Sequence, residues 1–331
     1  MHEQIIYFGA PGTGKSHLVK EKLTGVSNDK IFRVTIHPEY TYSDFIGQLL
    51  PEQNPTSRSI EFPFKPGPFT RALIEAFNDT NTDVYLILEE ISRGNVAAIF
   101  GDIFQLLDRD KHFVSKYPIR NKNIADQIVH IRTDEIYLPS NFNIIGTVNI
   151  NDQNVFPMDT AFKRRFDWEY VSTSPVKDAH GNRLRRLNNP KISVAIDAIR
   201  TNDIKTTWQS FYSALNVFIT DKDKGLGKNE DKQLGQFFID FGDTLTTESH
   251  SAVTATASDA ESKINNIIKN KLLMYLWNDV QGSSSFNMST RLFSNEIRSF
   301  DDLYSNYGVN KVYSDNFIEN FLRPNISKYP Y

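Results

Sequence analysis

The stretch Ile5–Ser16, IIYFGAPGTGKS, decides how the rest of the chain is read. The apolar run IIYF has the length of a buried strand and ends at Gly9, and KSHLVKEKLT, helical in pattern, starts at Lys15. Between them Gly9, Ala10, Pro11, Gly12, Thr13, Gly14, Lys15 and Ser16 match G-x-x-x-x-G-K-[ST] in full. Glycines at these places let backbone N–H groups turn inward around a phosphate, and the start of the following helix adds its positive dipole end. Lys15 is expected to reach the β and γ oxygens, and the Ser16 hydroxyl to bind Mg2+. A glycine-rich turn arising by chance has no reason to sit between a strand and a helix. All eight residues are therefore assigned to nucleotide phosphate.

A phosphate loop works with carboxylates at the end of a neighbouring strand, which hold Mg2+ and orient the attacking water. Leu86-Ile87-Leu88-Glu89-Glu90 supplies them: Glu89 acting on the metal through its water shell, Glu90 as general base. An Asp is more usual at the first position, so Glu89 is a departure. The run FNIIGTV ends in Asn149, whose amide at a strand end would hydrogen-bond the γ-phosphate or the lytic water, with Asp152 close behind. Taken alone, Asn149-Ile150-Asn151-Asp152 reads as a turn. Met158 to Phe166, MDTAFKRRF, carries three successive cations, a pattern that also arises as helix-end charge complementing the macrodipole. The sharper expectation is that Arg164 or Arg165, or Arg93 just after the acidic pair, reaches the nucleotide of a neighbouring subunit.

Outward from these motifs, the first half alternates strand-like runs (31–36, 84–88, 142–148) with helical patterns, the mark of α/β with a mainly parallel sheet. Residues 51–67, rich in proline, read as a loop. Beyond about residue 172 the apolar spacing turns helical, at Ile192, Ala195, Ile196 and Ile199, at Trp208 to Phe218, and at Ile264 to Trp277. The division expected is a nucleotide-binding domain over 1–172 and a smaller, mainly helical domain over 173–331 with solvated loops. With 331 residues, 39% apolar and 23% charged, the chain is globular, and a formal charge of -3 argues against a surface built to coat nucleic acid. The absence of cysteine excludes disulfides, thiolate metal sites and a cysteine nucleophile. No apolar run approaches membrane-spanning length and no secretory signal opens the sequence, so a cytoplasmic protein is expected.

Together these residues resemble the AAA+ superfamily, and within it the McrB-type NTPases of modification-dependent restriction systems. The likeness rests on GAPGTGKS, HPEYTYSDFIGQL, FPFKPGPFTRALIEAF, LILEEISRGNVAAIFGDIFQLLDRD, LPSNFNIIGTVNINDQN and MDTAFKRRFDW, which cover 5–170 almost completely. KQLGQFFID and NKLLMYLWNDV resemble the family's helical lid less specifically. The resemblance implies an AAA+ fold, a homo-oligomeric ring (a hexamer), nucleotide at subunit interfaces, Mg2+ with ATP or GTP, and a McrC-like nuclease partner through which DNA is met. The family's Asn-Thr-Ala-Asp motif stands here as Asn149-Ile150-Asn151-Asp152, so a GTP preference does not carry over. ATP and GTP stay open.

The chain starts four residues before its first apolar run, so no domain for reading modified DNA is expected ahead of it. Glu261-Ser262-Lys263 with Asp240 or Asp243 imitates a nuclease pattern only loosely, and the seven histidines show no metal-ligand spacing, so no nuclease activity of the chain's own is expected. The leading function is a motor NTPase of a McrBC-like antiphage restriction system. The alternatives are a dynein-related remodeller acting on a protein partner, and a nucleotide-gated scaffold, which would have no need of a base at Glu90.

Overall fold

The apolar runs become the core of a five-stranded sheet in the computed structural model of the chain, which describes residues 2–149, 156–178, 180–197, 203–242, 257–282 and 290–329. The strands are β1 (Gln4–Gly9), β2 (Ile31–Thr35), β3 (Val84–Glu89), β4 (Phe142–Asn149) and β5 (Asp167–Tyr170). Their spatial order is β5-β1-β4-β3-β2. The β1–β5, β3–β4 and β2–β3 pairings are parallel, with Ile5 opposite Asp167, Gly146 opposite Leu88 and Arg33 opposite Ile87. Strands buried on both faces need no polar alternation, and β3 and β4 are the most continuously buried of the five. Because β4 and β3 stand between β1 and β2, the chain order reverses beside β1. Ligands of open parallel sheets lie at such a point, outside the carboxyl ends of the strands.

Helix α1 (Lys15–Lys22) follows the phosphate loop, and α2 (Pro68–Asn78) starts with proline in its first turn and buries Phe69, Ala72, Leu73, Ala76 and Phe77. Two polar side chains, the buried Asn141 and the partly buried Arg109, tie the amino ends of the central strands. The Asn141 amide donates to the carbonyls of Ala76 (3.0 Å), Asp79 (2.9 Å) and Thr82 (2.9 Å), closing the turn from α2 into β3. The Arg109 guanidinium donates to the carbonyls of Phe113 (2.9 Å), Leu138 (3.1 Å) and Phe142 (2.7 Å) and to Gln4 Oε1 (3.1 Å). Several sequence expectations are refined here. The helical run from Val96 breaks at Gly101, which takes φ 50°, and continues to Leu107 as a tighter helix. The proline-rich segment expected as a loop takes part in two short antiparallel pairings, 64–66 with the preceding 47–49 and 52–53 with 60–61.

Two compact units result, one of Met1–Phe8 and Lys15–Tyr170, the other of Gly9–Gly14 and Val171–Tyr331. The second is mainly helical around α3 (Trp208–Thr220), with α4 (Ala257–Lys271) and short helical segments from Phe300 onward. Its core is aromatic: Trp208, Phe211, Tyr212, Phe218, Phe241, Phe293, Tyr313 and Phe317 are all buried. The helix expected from Ile192 is not formed. Lys191–Val194 is a strand paired antiparallel with Ile204–Thr207, and Ile199 lies outside the described residues. Burial of Ile192 and Val194 with the residues beside them less buried is a two-residue period, and β-branched side chains suit it better than a helix. Among the described residues no helix is long and apolar enough to cross a membrane.

Arg109→Met deletes donors to at least three carbonyls at the foot of β4. It is expected to cost about 3 kcal/mol, since several partly buried carbonyls then lose a charged donor. Urea unfolding followed by circular dichroism reads this as a lowered midpoint.

Candidate functional site

The phosphate loop leaves β1 at Gly9 and returns to helix at Lys15. Gly12 and Gly14 stand at φ 75° and 95°, the left-handed region that glycine enters without steric cost. Alternation of such residues with right-handed ones curls a backbone into an anion-binding concavity. The buried Thr13 hydroxyl donates to the Ala10 carbonyl at 3.0 Å and braces the curl from within. Ser16 is exposed in the first turn of α1, and Lys15 is buried behind it. Burial pulls the Lys15 ammonium down to about 8, and the Glu90 carboxylate opposes that shift. Lys15 thus lies within electrostatic reach of the acidic strand end.

That strand end is assembled by β3 and β4 together. Glu90, the residue after β3, takes φ 56° and ψ 41°, a left-handed conformation that costs a non-glycine residue roughly 1 kcal/mol or more. Its N–H donates to Thr147 Oγ1 at 3.3 Å, and Asn149 Nδ2 donates to both its carboxylate oxygens at 2.9 and 3.1 Å. Arg93 Nε stands 3.4 Å from the same carboxylate. The sequence-based expectation directed the Asn149 amide at phosphate or water; in this structure it holds Glu90. Glu89, at the last position of β3, is ion-paired to Arg33 at 2.5 Å. Arg33 faces Ile87 across β2 and β3, which sets its side chain diagonally toward Glu89. Neither Thr147 nor Arg33 carries a sequence signal, because their contacts depend on which strands are neighbours.

The arginines separate clearly. Arg165 is drawn inward: its guanidinium donates to Asp108 Oδ2 (2.6 Å) and to the Ala161 carbonyl (2.8 Å) and lies 4.2 Å from the centre of the Phe104 ring. Only 9% of its side chain is exposed, so of the three candidate arginines Arg165 is the one held inside the subunit. Arg164 ends the short helix Thr160–Lys163 and is exposed. Asp152, with Asn151, lies outside the described residues. The loose nuclease pattern does not gather either: Glu261 sits on α4 and pairs with Lys205 at 3.4 Å, and Asp243 lies outside the described residues.

Among the described residues no group of three or more His, Asp or Glu could hold a metal ion. Mg2+ does not require one, since it keeps several waters and takes one or two protein oxygens together with substrate phosphates. The Ser16 hydroxyl and the Glu89 carboxylate are oxygen donors of that chemistry.

A phosphate loop after β1, carboxylates at the end of β3 and an amide at the end of β4, in a parallel sheet ordered 5-1-4-3-2, define a P-loop NTPase of the AAA+ class. The family model for the AAA domain (dynein-related subfamily) matches residues 4–166. The chain is 35% identical over 301 residues to the Type II restriction enzyme BsuMI component YdiS of Bacillus subtilis (strain 168), a match covering 83% of this chain and 78% of that protein. It is 29% identical over 172 residues to the Type IV methyl-directed restriction enzyme EcoKMcrB subunit of Escherichia coli (strain K12), covering 50% of this chain and 34% of that protein. The chain belongs to the AAA+ NTPases of the McrB type.

Such a protein binds nucleotide, and the position of Lys15 makes that binding pH-dependent. As pH rises from 7 to 9 through the value near 8, the protonated fraction of the free site falls from roughly nine tenths to one tenth. Nucleotide affinity is expected to fall by up to about tenfold over that range. The same shift has the opposite sign for folding. With the folded value below the usual 10.5, the unfolded chain binds the extra proton, so stability of the free protein rises between about 8 and 10.5. Fluorescent-nucleotide titrations across pH 7–9 test the first statement, and a flat profile would show Lys15 charged throughout.

Proposed function

We propose that this chain is a ring-forming, Mg2+-dependent nucleoside triphosphatase that serves as the motor subunit of a restriction system and works with a separate McrC-like nuclease subunit. The observation that carries the hydrolytic reading is the Asn149–Glu90 pair at the carboxyl ends of β4 and β3, with Lys15 near enough to feel the Glu90 charge. The restriction context is supported by two relatives, each named as part of a restriction enzyme.

In this reading Gly9–Gly14 and Lys15 hold the phosphates, while Ser16 and Glu89 hold Mg2+. Bound there, the ion would neutralise charge on the β and γ oxygens. Glu89, paired with Arg33 here, would give up that pair to hold the ion. Glu90 takes the proton from the attacking water. Asn149 keeps the Glu90 carboxylate oriented and, once triphosphate is bound, shares its amide with the γ-phosphate or the water. Arg164 is the group offered to a neighbouring subunit's nucleotide, since Arg165 is committed to Asp108 and Arg93 lies against Glu90. The residues from Val171 onward act as the lid. DNA is cleaved by the partner and not by this chain. A remodeller acting on a protein partner is the second reading, favoured by the dynein-related description of the matching family model. A McrC-like nuclease gene beside this one separates the two.

Lys15→Ala is expected to abolish nucleotide binding, while Glu90→Gln binds normally and loses turnover by roughly 100-fold or more, as removal of a general base does. Equilibrium binding and phosphate release measured side by side with ATP and GTP check both variants and the base preference. Near wild-type turnover by Glu90→Gln would remove the base assignment. Arg164→Ala and Glu90→Gln subunits, each inactive alone, are expected to recover turnover when mixed, because a mixed ring sets an intact Arg164 beside an intact Glu90. No recovery in demonstrably mixed rings would leave Arg164 as helix-end charge.

A further inference from the structure

Within the second unit, the segment Leu234–Ile239 lies directly on the phosphate loop. The Gly235 N–H donates to the Pro11 carbonyl at 2.9 Å, and the Phe237 N–H donates to the Gly12 carbonyl at 2.8 Å. A methyl group on Gly235 would stand 2.2 Å from the Gly12 carbonyl and from the Thr13 nitrogen, and one on Gly12 would stand 2.3 Å from the Phe238 nitrogen. Both glycines are therefore required by the closeness of the two backbones.

The segment is held as firmly on its far side. Asn216 clamps Leu234 from both ends, donating to its carbonyl and accepting from its N–H, each at 2.7 Å. The Gln236 carbonyl accepts from the Trp208 indole N–H and from Asn188 Nδ2, both at 2.8 Å. Asn188, in a left-handed conformation at φ 45°, also donates to the Ile239 carbonyl at 2.7 Å. Trp208, Asn188, Asn216 and Gln236 are all buried. Five polar contacts made by buried side chains are more than a surface loop needs. They make it a rigid bar whose Gly235 and Phe237 N–H groups face the phosphate loop.

We propose that Leu234–Ile239 is a positioning element for nucleotide, setting the phosphate loop through its carbonyl side so that the loop's N–H groups meet the phosphates without reorganising. Gly235 and Asn216 are its key positioning residues. The inference rests on the reading of Gly9–Ser16 as the phosphate site. Preorganisation lowers the cost of binding, so loss of the bar weakens affinity more than it slows the chemical step. By linkage, nucleotide must in turn tighten the bar.

The test uses the full chain, a fluorescent ATP or GTP analogue, and single-turnover hydrolysis. Gly235→Ala is expected to weaken binding by about tenfold or more while the rate at saturating nucleotide stays within about threefold. Asn216→Asp, which keeps the acceptor for Leu234 and loses the donor, is expected to give an intermediate loss. Gly242→Ala, at an exposed glycine outside the segment, is expected to bind as wild type. Hydrogen exchange on the unmodified protein requires no variant to fold. There the Gly235 and Phe237 amides are expected to exchange more slowly with nucleotide present. Wild-type affinity in a folded Gly235→Ala, or exchange at these amides unaltered by nucleotide, overturns the proposal and leaves the phosphate site intact. A wild-type chain that binds neither analogue overturns both.

Discussion

The parallel pairing of β3 with β4 is the constraint on which the rest of the first unit depends. Both strands are buried almost throughout, so their register is fixed by packing on two faces, and a slip of one residue would exchange the side chains that fill each of them. Where the two strands end, burial gives way, and the first residues free of it are Glu89, Glu90 and Asn149. The chemistry of the site is therefore located by the hydrophobic effect and only refined by polar contacts. The left-handed turn at Glu90 is an instance of local strain held in place by a rigid surround, here the Thr147 hydroxyl on its N–H and the Asn149 amide on its carboxylate.

Charge is distributed in keeping with that scheme. Near the sheet's carboxyl ends Arg33 pairs with Glu89, and Arg93 and the Asn149 amide with Glu90. Exposed pairs of this kind contribute little to stability, generally under about 1 kcal/mol, so they are easily exchanged when a more highly charged ligand arrives. Arg165 is the contrast. It is packed against Asp108 and Phe104, and removing it would leave the partly buried Asp108 carboxylate without its cation. Two adjacent arginines in one sequence motif therefore have different physical roles, one facing solvent and one inside.

The motif-bearing elements were legible from sequence because their signals are local. The strand before the phosphate loop, the helix after it, and the apolar runs ending in Glu89 and Asn149 all stand where the reading put them. The second half was harder. Ile192, Ala195 and Ile196 fit a helical spacing and Ile192 with Val194 a strand one over so short a run, and the antiparallel partner at Ile204–Thr207 decided the matter. The break at Gly101 and the pairings within the proline-rich segment likewise came from contacts beyond the window in which periodicity is read.

What the sequence by itself determined was chemistry carried by neighbouring residues: a loop whose glycines permit an anion-binding curl, a cation and a hydroxyl placed after it, and carboxylates following an apolar strand. These need only short-range backbone geometry, which residue type dictates directly. What tertiary structure decided was which of these groups meet. The grip of Asn149 on Glu90, the tie of Arg33 to Glu89, the burial of Arg165, and the hold of Gly235 and Phe237 on the phosphate loop all join residues distant in the chain. Such pairings are set by strand order and by the packing of whole elements, and a linear sequence read in short windows carries neither.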